Sequence, residues 1–419
     1  MLYVGKDSTE ASVTFKASVW ISKQSNGAAP TPAVIRAKID RQVAHLFGPM
    51  AADTYTAVPK GDHTIQTGAV QAVGNGQYKV EYQYVGTAVI KNGPTATYTV
   101  LLPKNPDTVY EESVQASGGT QCTDSQHSEE EYFWYFWSPK KWGCKLQNGV
   151  HYQTISAKIT RFVNTERTYP EYDRMVSQGV IRQTVLWGMD DPGKSWNPME
   201  SDDLNAVNYR IVKSDLKGMG YTARLLSASE IKGVVKGATS KLPIVEEFTR
   251  TTPRAKIVVR MVFGDSAVPG WNTGFHWYLK DAIETNAVVI YAGHSGLGKY
   301  VNLSVIETEQ NFKISFPKNQ YQLFFFNGCS SYPYYNSMYF APKMTDADPK
   351  GTRNLDILTN GLATFFTAIP GSVSGVLQAV DYWAAGKATF TYQSLISDID
   401  SDNLLGVNGD DDNPTEPPK

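Results

Sequence analysis

Two largely apolar runs, residues 287–292 (AVVIYA) and 321–326 (YQLFFF, with one glutamine), constrain the fold more than any other feature of this chain. A strand that faces water on one side alternates apolar and polar residues, whereas a strand covered on both faces is apolar throughout. Both runs have the length of a strand, and glycine and polar residues follow each of them. We therefore predict two central strands of a buried, mostly parallel sheet.

The region around these runs alternates between strand and helix patterns from about residue 169 onward. Further strands are predicted at 180–187, 222–226, 255–263 and 355–359, and helices at 204–216, 275–284 and 361–369. Such alternation favours an α/β domain whose helices lie on both faces of an open, mostly parallel sheet.

The first part of the chain has a different pattern. Strands are predicted at 11–21, 77–90, 95–102 and 151–163, with a helix at 33–47. Residues 91–94 (KNGP) are typical of a turn, so the two strands on either side of it are predicted to form a hairpin. This pattern favours an α+β domain.

The length of 419 residues is enough for two hydrophobic cores. We predict an α+β domain at 1–168, serving as a pro-domain or a recognition domain, and the α/β domain at 169–396. The remaining residues, 397–419, are acidic and contain prolines, which predicts a tail without fixed structure.

The composition excludes several classes of function. The net charge is −2 and lysines and arginines are scattered, so no basic surface for nucleic acid is expected. No stretch has the ~20 apolar residues of a membrane-spanning helix. The first residues (MLYVGKDSTEAS) contain no apolar signal core. We expect the protein outside the cell or in the periplasm, after removal of a signal that precedes this numbering, or alternatively in the cytoplasm.

Three cysteines bear on this choice of compartment. Cys122 and Cys144 lie 22 positions apart, and a disulfide between them would stabilise the fold by about 3 kcal/mol. Two cysteines do not establish a disulfide framework, so three reduced thiols are the alternative. If the first two pair, Cys329 is left over, and a leftover thiol is a candidate for reactivity.

The ends of the two apolar runs carry residues suited to nucleophilic catalysis. His294 follows the first run and Cys329 follows the second. Ligands bind at the carboxyl ends of parallel strands, and neighbouring strands lie only about 4.8 Å apart. A thiol and an imidazole placed there form a nucleophile and a proton-transfer group. Gly296 and Gly328 would let backbone N–H groups approach an oxyanion.

This arrangement resembles the caspase-fold cysteine peptidases, which include caspases, gingipains, clostripain, legumain and separase. The resemblance lies in the segments VVIYAGHSG and LFFFNGC. It implies that Cys329 is the nucleophile of an endopeptidase and that His294 protonates the leaving amine. It also implies oxyanion donors at the backbone of Gly296 and Cys329. Because Ser295 stands where the family pattern has glycine, the N–H of Ser295 is the alternative donor.

Residues after other strands are candidates for substrate binding. Asp190 and Asp191 follow the strand at 180–187, and a carboxylate there would favour Arg or Lys before the scissile bond. The alternative is that they form or cap a turn (MDDPG). Ser330 and Tyr332 lie just after the cysteine. They begin an aromatic segment that lines a substrate groove or packs beneath the loop.

Other chemistry fits the sequence less well. The segment GHSG resembles the G-x-S-x-G motif of serine hydrolases, but Leu297 stands at the last glycine and no histidine follows Ser295. Asp398, Asp400 and Asp402 have calcium-loop spacing without the required glycine and glutamate, so no cofactor is expected, with calcium at this segment as the alternative.

Three functions stay open at this point. The first is a peptidase that cleaves protein or peptide substrates. The second is a catalytically silent module of the same fold that acts by binding. The third is a structural or adhesive surface protein, suggested by the aromatic-rich stretch at 129–142.

Overall fold

A computed structural model describes residues 3–54, 56–57, 63–118, 121–237, 239, 241–268 and 274–418. The chain forms two compact units. One unit comprises residues 9–163, and the other comprises residues 1–8 together with 164–419.

The strands and helices have the following bounds. The strands are β1 (Val4–Gly5), β2 (Ser8–Ser22), β3 (Thr56–Ala57), β4 (His63–Gly74), β5 (Gln77–Lys91), β6 (Thr97–Pro103), β7 (Tyr152–Arg161), β8 (Val180–Gly188), β9 (Thr222–Leu225), β10 (Ile244–Thr251), β11 (Lys256–Gly264), β12 (Val288–Ala292), β13 (Gln322–Asn327), β14 (Leu355–Asn360) and β15 (Leu405–Asn408). The helices are α1 (Pro32–Ala44), α2 (Phe47–Thr54), α3 (Val109–Ser117), α4 (Phe133–Phe136), α5 (Leu204–Gly218), α6 (Ala228–Val234), α7 (Phe275–Thr285), α8 (Leu303–Gln310), α9 (Ser337–Phe340), α10 (Ile369–Ala384) and α11 (Tyr392–Ile399).

The larger unit contains a mixed nine-stranded sheet in the order β1-β15-β14-β13-β12-β8-β11-β10-β9. The five central strands, from β14 to β11, pair in parallel. The outer strands β15, β10, β9 and β1 pair antiparallel with their neighbours. The prediction of a mostly parallel α/β sheet is therefore confirmed for its centre, and the edges are antiparallel.

Both faces of the central strands are buried, as the apolar runs predict. In β12, Val288, Ile290 and Ala292 pack with residues of α5, α10 and α11 on one face. Val289 and Tyr291 pack with residues of α6, α7 and α8 on the other. Because no side of the strand meets water, every position favours an apolar side chain, and polar groups concentrate where the strand ends.

The chain order of the parallel strands creates a switch point in the sheet. From β8 the chain adds β11 on one side, and then returns to place β12 on the other side of β8. The strands β13 and β14 continue outward from β12. In open α/β sheets a ligand crevice forms where the direction of winding reverses, outside the carboxyl ends of the strands. Here that place lies between β8 and β12.

The smaller unit contains a six-stranded sheet in the order β3-β5-β2-β7-β6, with β4 also paired to β5. The pairs β2–β7, β3–β5, β4–β5 and β6–β7 are antiparallel. The helix α1 covers one face and buries Ile35, Ile39 and Val43 against Val13 and Val19 of β2. This helix begins after Thr31, whose side chain accepts a hydrogen bond from the N–H of Val34.

The predicted hairpin between residues 77–90 and 95–102 is wrong. The strand β5 pairs with β4, and β6 pairs with β7. The two-residue turn between β4 and β5 is Asn75–Gly76, with φ values of 49° and 69°, which is the backbone of a type I′ hairpin turn. The sequence pattern did not predict β4, because this strand is largely exposed and its residues do not alternate between apolar and polar.

The predicted helix at 361–369 is also wrong. Residues 361–368 form a loop with a short 3-10 turn, and α10 begins only at Ile369. Pro370 occupies the first turn of α10, where its fixed φ and missing N–H fit a helix start. The loop at 361–368, which replaces the predicted helix, contacts the loops that carry His294 and Cys329.

The prediction of a tail without fixed structure fails for residues 405–408. They form β15, which pairs with β14 inside the sheet. Leu405 and Val407 are buried in the core, and Asp410 just beyond them is fully buried. The sequence pattern did not predict this strand, because its two apolar side chains lie within an acidic segment.

The longest helix, α10, has 16 residues. Across the described ranges, no helix combines the length and apolarity that crossing a membrane requires.

We predict that the disulfide stabilises the smaller unit. Cys122 and Cys144 form a disulfide, with Cα atoms 4.8 Å apart, and pack beside Phe133 and Trp137. Replacing both cysteines with alanine should lower the free energy of unfolding of this unit by about 3 kcal/mol, because the unfolded loop is no longer closed. Urea unfolding of the full chain, followed by tryptophan fluorescence, measures this change.

A reductant provides the control for this prediction. It should lower the unfolding midpoint of the wild type and leave the double alanine variant unchanged. Equal midpoints for the wild type and the double variant would contradict the prediction.

Candidate active site

Three neighbouring strands end side by side at one edge of the larger sheet. In the parallel register, Ala292 of β12 lies opposite both Trp187 of β8 and Asn327 of β13. His294 and Cys329 each come two residues after these aligned positions. Since neighbouring strands are about 4.8 Å apart, the register brings the two predicted catalytic residues into adjacent loops.

The two loops contact each other at Gly328. A Cβ atom added to Gly328 would lie 2.6 Å from Ser295 Oγ and 2.7 Å from the carbonyl oxygen of Gly293. The N–H of Gly293 also donates to the carbonyl of Asn327 at 3.4 Å. Gly328 is therefore required by the close approach of the histidine loop to the cysteine loop.

His294 is held by contacts on both its ring and its backbone. Its Nε2 lies 2.9 Å from Asp190 Oδ1, and its carbonyl accepts a hydrogen bond of 2.6 Å from the hydroxyl of Tyr291. The ring of Phe366 meets the imidazole edge to face, with centroids 5.4 Å apart. The imidazole is still 41% exposed, so it is both oriented and accessible.

Asp190 lies beside His294, on the rim where the sequence placed it, and its carboxylate contacts the imidazole. Its carboxylate orients one ring nitrogen of His294, and this contact determines which nitrogen carries the proton. Asp191 matches the alternative of a turn residue. Its Oδ1 accepts from the N–H of Gly193 at 2.9 Å, and its own N–H donates to Asp203 Oδ2 at 2.8 Å.

The first turn of α5 connects the ends of β8 and β12, the strands that lead to Asp190 and His294. Asp203 caps this helix by accepting from the N–H groups of Asn205 and Ala206. The side chain of Asn205 then donates to the carbonyls of Gly188, at 2.6 Å, and Ala292, at 3.4 Å. A single buried amide therefore bridges the ends of β8 and β12.

Cys329 is the free cysteine of the described chain and is partly buried. Its Sγ donates to the carbonyl of Thr364 at 3.7 Å. Burial raises the pKa of the Cys329 thiol above its ordinary value, because a thiolate is poorly solvated there. The resting side chain is therefore a protonated thiol at neutral pH.

A buried network of amides and hydroxyls holds the cysteine loop. The side chain of Asn360 donates to Asn327 Oδ1, to the carbonyl of Gly328 and to Thr364 Oγ1. Asn403 donates to the same Thr364 hydroxyl at 2.8 Å. All the side chains in this network are buried, so each hydrogen bond is shielded from water and the loop is fixed.

The other predicted residues pack within the loops. Ser330 and Tyr332 are each 2% exposed, and their N–H groups donate to the carbonyls of Leu362 and Asn360. Both positions therefore support the cysteine loop and do not line an open groove. Ser295 is also buried, and its Oγ has no hydrogen-bond partner within the described residues.

Two of the oxyanion candidates, Ser295 and Gly296, lie at the start of a strained turn after the histidine. Gly296 has a φ of 54° and Leu297 a φ of 52°, and residues Gly296–Gly298 form a 3-10 turn. A left-handed φ is costly for a side chain such as that of Leu297. The carbonyl of Ser295 accepts from the hydroxyl of Tyr335 at 2.9 Å, which helps to hold this turn.

Sequence reasoning missed the residues that support the dyad from a distance. Asn360, Thr364 and Phe366 belong to the end of β14 and the loop after it, which the sequence pattern assigned to a helix. The signal available was the polar pair Thr359–Asn360 at the end of an apolar strand. This is the same pattern that identified His294 and Cys329.

The described residues contain no group of three or more His, Cys, Asp or Glu side chains that could hold a metal ion. Asp400, one member of the calcium-like spacing, accepts from the N–H groups of Asn403 and Leu405 and so stabilises a turn.

No protein-family model, no curated protein and no solved structure matches this chain.

We predict that Gly328→Ala disrupts the site. The new methyl group would overlap the Ser295 hydroxyl and the Gly293 carbonyl, so the two loops must separate. The expected cost is about 1–3 kcal/mol of stability. The reaction of Cys329 with a peptide electrophile should also fall. Thermal unfolding and mass spectrometry measure the two effects.

Gly218→Ala is the matched control, because an added Cβ there meets no atom within 4 Å. It should leave both measurements close to those of the wild type. If both variants behaved alike, the loop contact at Gly328 would not matter.

Burial of the Cys329 thiol leads to a prediction about the pH dependence of its alkylation. Burial disfavours the thiolate, so alkylation of Cys329 by iodoacetamide should reach half its maximal rate at a higher pH than alkylation of free cysteine. The rate is measured across pH by mass spectrometry, with Cys329→Ala as the control that takes up no label at this position. A midpoint below that of free cysteine would show that the thiol is activated in the resting state.

Proposed function

We propose that this protein is a cysteine endopeptidase in which Cys329 is the nucleophile and His294 the proton-transfer group. The observation that carries the proposal is the register of β12 with β13, which sets these residues in two contacting loops. The position at the carboxyl ends of parallel strands supports it, because substrates bind there in open sheets.

The proposal includes a caspase-like architecture for the larger unit. Numbered along the chain, the parallel strands lie in the order 2-1-3-4-5, with β8 as strand 1 and β12 as strand 3. Histidine follows strand 3 and cysteine follows strand 4, as in the segments VVIYAGHSG and LFFFNGC that resemble the caspase-fold peptidases.

In the proposed reaction, the Cys329 thiol transfers its proton to His294 as the sulfur attacks the scissile carbonyl. The C–N bond then breaks, and the protonated imidazole gives its proton to the leaving amine. A thioester remains on Cys329. Water hydrolyses this thioester, which releases the carboxylic acid and restores the thiol.

Asp190 completes the arrangement as a positioning residue. A carboxylate at 2.9 Å from Nε2 orients the ring and stabilises the imidazolium that forms during the reaction. The proposed oxyanion donors are the backbone N–H of Cys329 and that of Ser295 or Gly296. The turn that begins at Ser295 contacts the cysteine loop at Gly328, which places these N–H groups near the nucleophile.

One observation favours the alternative of a catalytically silent module that acts by binding. The thiol is partly buried, its proton is donated to the carbonyl of Thr364, and its pKa is raised. For catalysis, substrate binding must displace this contact and bring the imidazole to the sulfur.

We also propose that the protein works outside the cell or in the periplasm. Disulfides persist in oxidising compartments, and Cys122 pairs with Cys144. The unit at 9–163 then serves as a pro-domain or a recognition domain for protein or peptide substrates.

Cleavage of a peptide library by the full chain tests the proposed function. The wild type should produce cleavage that depends on Cys329 and is lost in Cys329→Ala. Mass spectrometry identifies the products. Equal cleavage by both proteins, or none by either, would refute the peptidase proposal.

The adjacent residues Asp190 and Asp191 allow the role of Asp190 to be tested with a matched control. We predict that Asp190→Asn lowers kcat/KM by about 100-fold, because the oriented proton-transfer group contributes at least that much. Asp191→Asn, which alters only a turn, should stay within a few-fold of the wild type. The pH profile of kcat/KM should change in the first variant alone. Equal activity of the two variants would contradict the assignment.

A further inference from the structure

The loop between β14 and α10 contacts both members of the proposed dyad. The carbonyl of Thr364 accepts the Cys329 thiol, and the ring of Phe366 packs against the His294 imidazole. The residue between these two contacts is Phe365, whose side chain is 76% exposed.

The backbone on either side of Phe365 is held in place. Thr364 is anchored through its hydroxyl by Asn360 at 2.6 Å and Asn403 at 2.8 Å. The carbonyl of Phe366 accepts from the side chain of Asn208 on α5 at 2.9 Å. The Phe365 ring is thus exposed on a fixed backbone, one residue from groups that contact the dyad. Such a ring is available for contact with a ligand.

The acidic residues predicted to select a basic side chain already have hydrogen-bond partners within the protein. Asp190 binds His294, and the Asp191 carboxylate accepts from the N–H of Gly193 within its own turn. The adjoining ring of Phe366 adds apolar surface beside the imidazole. The rim around His294 therefore carries aromatic surface beside the Asp190 carboxylate, whose Oδ1 is already engaged by the imidazole.

We propose that Phe365 determines specificity and that the site takes peptides with a large apolar side chain next to the scissile bond. This inference rests on the proposed peptidase function. An apolar substrate side chain would cover the Phe365 ring and remove both surfaces from water. The same contact would draw the peptide over the Thr364 carbonyl, so that the Cys329 thiol is released from its hydrogen bond to that carbonyl.

The test compares Phe365→Ser with wild type on peptides that differ at one position beside the cleaved bond, carrying Phe, Leu, Gly or Arg there. We expect the wild type to prefer Phe and Leu over Gly, and the variant to lose at least about tenfold of this preference in kcat/KM. The Gly peptide should be cleaved equally by both proteins. Leu225→Ser is the control, because Leu225 is an exposed apolar residue (61%) of the same unit on the edge strand β9.

A second measurement separates this inference from the peptidase proposal. Uncleavable peptides of the same four kinds are tested for protection of Cys329 against iodoacetamide. Protection by the Phe and Leu peptides that is lost in Phe365→Ser supports the inference even if no peptide is cleaved. A preference for Arg, or a preference for Phe and Leu that is unchanged in Phe365→Ser, overturns it. Thermal unfolding checks that the variant is folded.

Discussion

The parallel pairing of β12 with β8 on one side and β13 on the other is the constraint on which the rest of the larger unit depends. A parallel register lets neighbouring strands end at the same level, so residues distant in the chain emerge side by side. Ala292, Trp187 and Asn327 are aligned in this way. A shift of one residue in either pairing would reverse the faces of a strand and separate His294 from Cys329.

Burial of the sheet on both faces explains why the chemistry lies where it does. Within the strands, every polar group would need a buried partner, and the core clusters on both sides are apolar. At the strand ends the polar residues can satisfy one another. Asn205 bridges the backbone carbonyls that end β8 and β12, and Asn360 joins the Gly328 carbonyl to the side chains of Asn327 and Thr364. The same hydrogen bonds that satisfy the strand ends also position the histidine and cysteine loops.

Patterns that depend on burial were readable from the sequence, and those that depend on pairing partners were not. The apolar runs predicted β12 and β13 because two-sided burial leaves a local trace in composition. The strand β4 was missed because its largely exposed residues leave no such trace, although the Asn75–Gly76 turn marks its hairpin with β5. The segment 361–368 resembles a helix locally, yet the carbonyls of Leu362 and Thr364 accept hydrogen bonds from the cysteine loop and hold the segment as a loop.

The sequence by itself determined that this chain has a buried α/β sheet with a histidine and a cysteine at two successive strand ends, because burial and strand termination are local properties. Only the tertiary structure decided what surrounds them. Asp190 follows a strand more than 100 residues before His294, and nothing local shows that β8 lies beside β12. The exposed ring of Phe365 and the covered thiol of Cys329 likewise follow from how distant loops pack, which no single segment encodes.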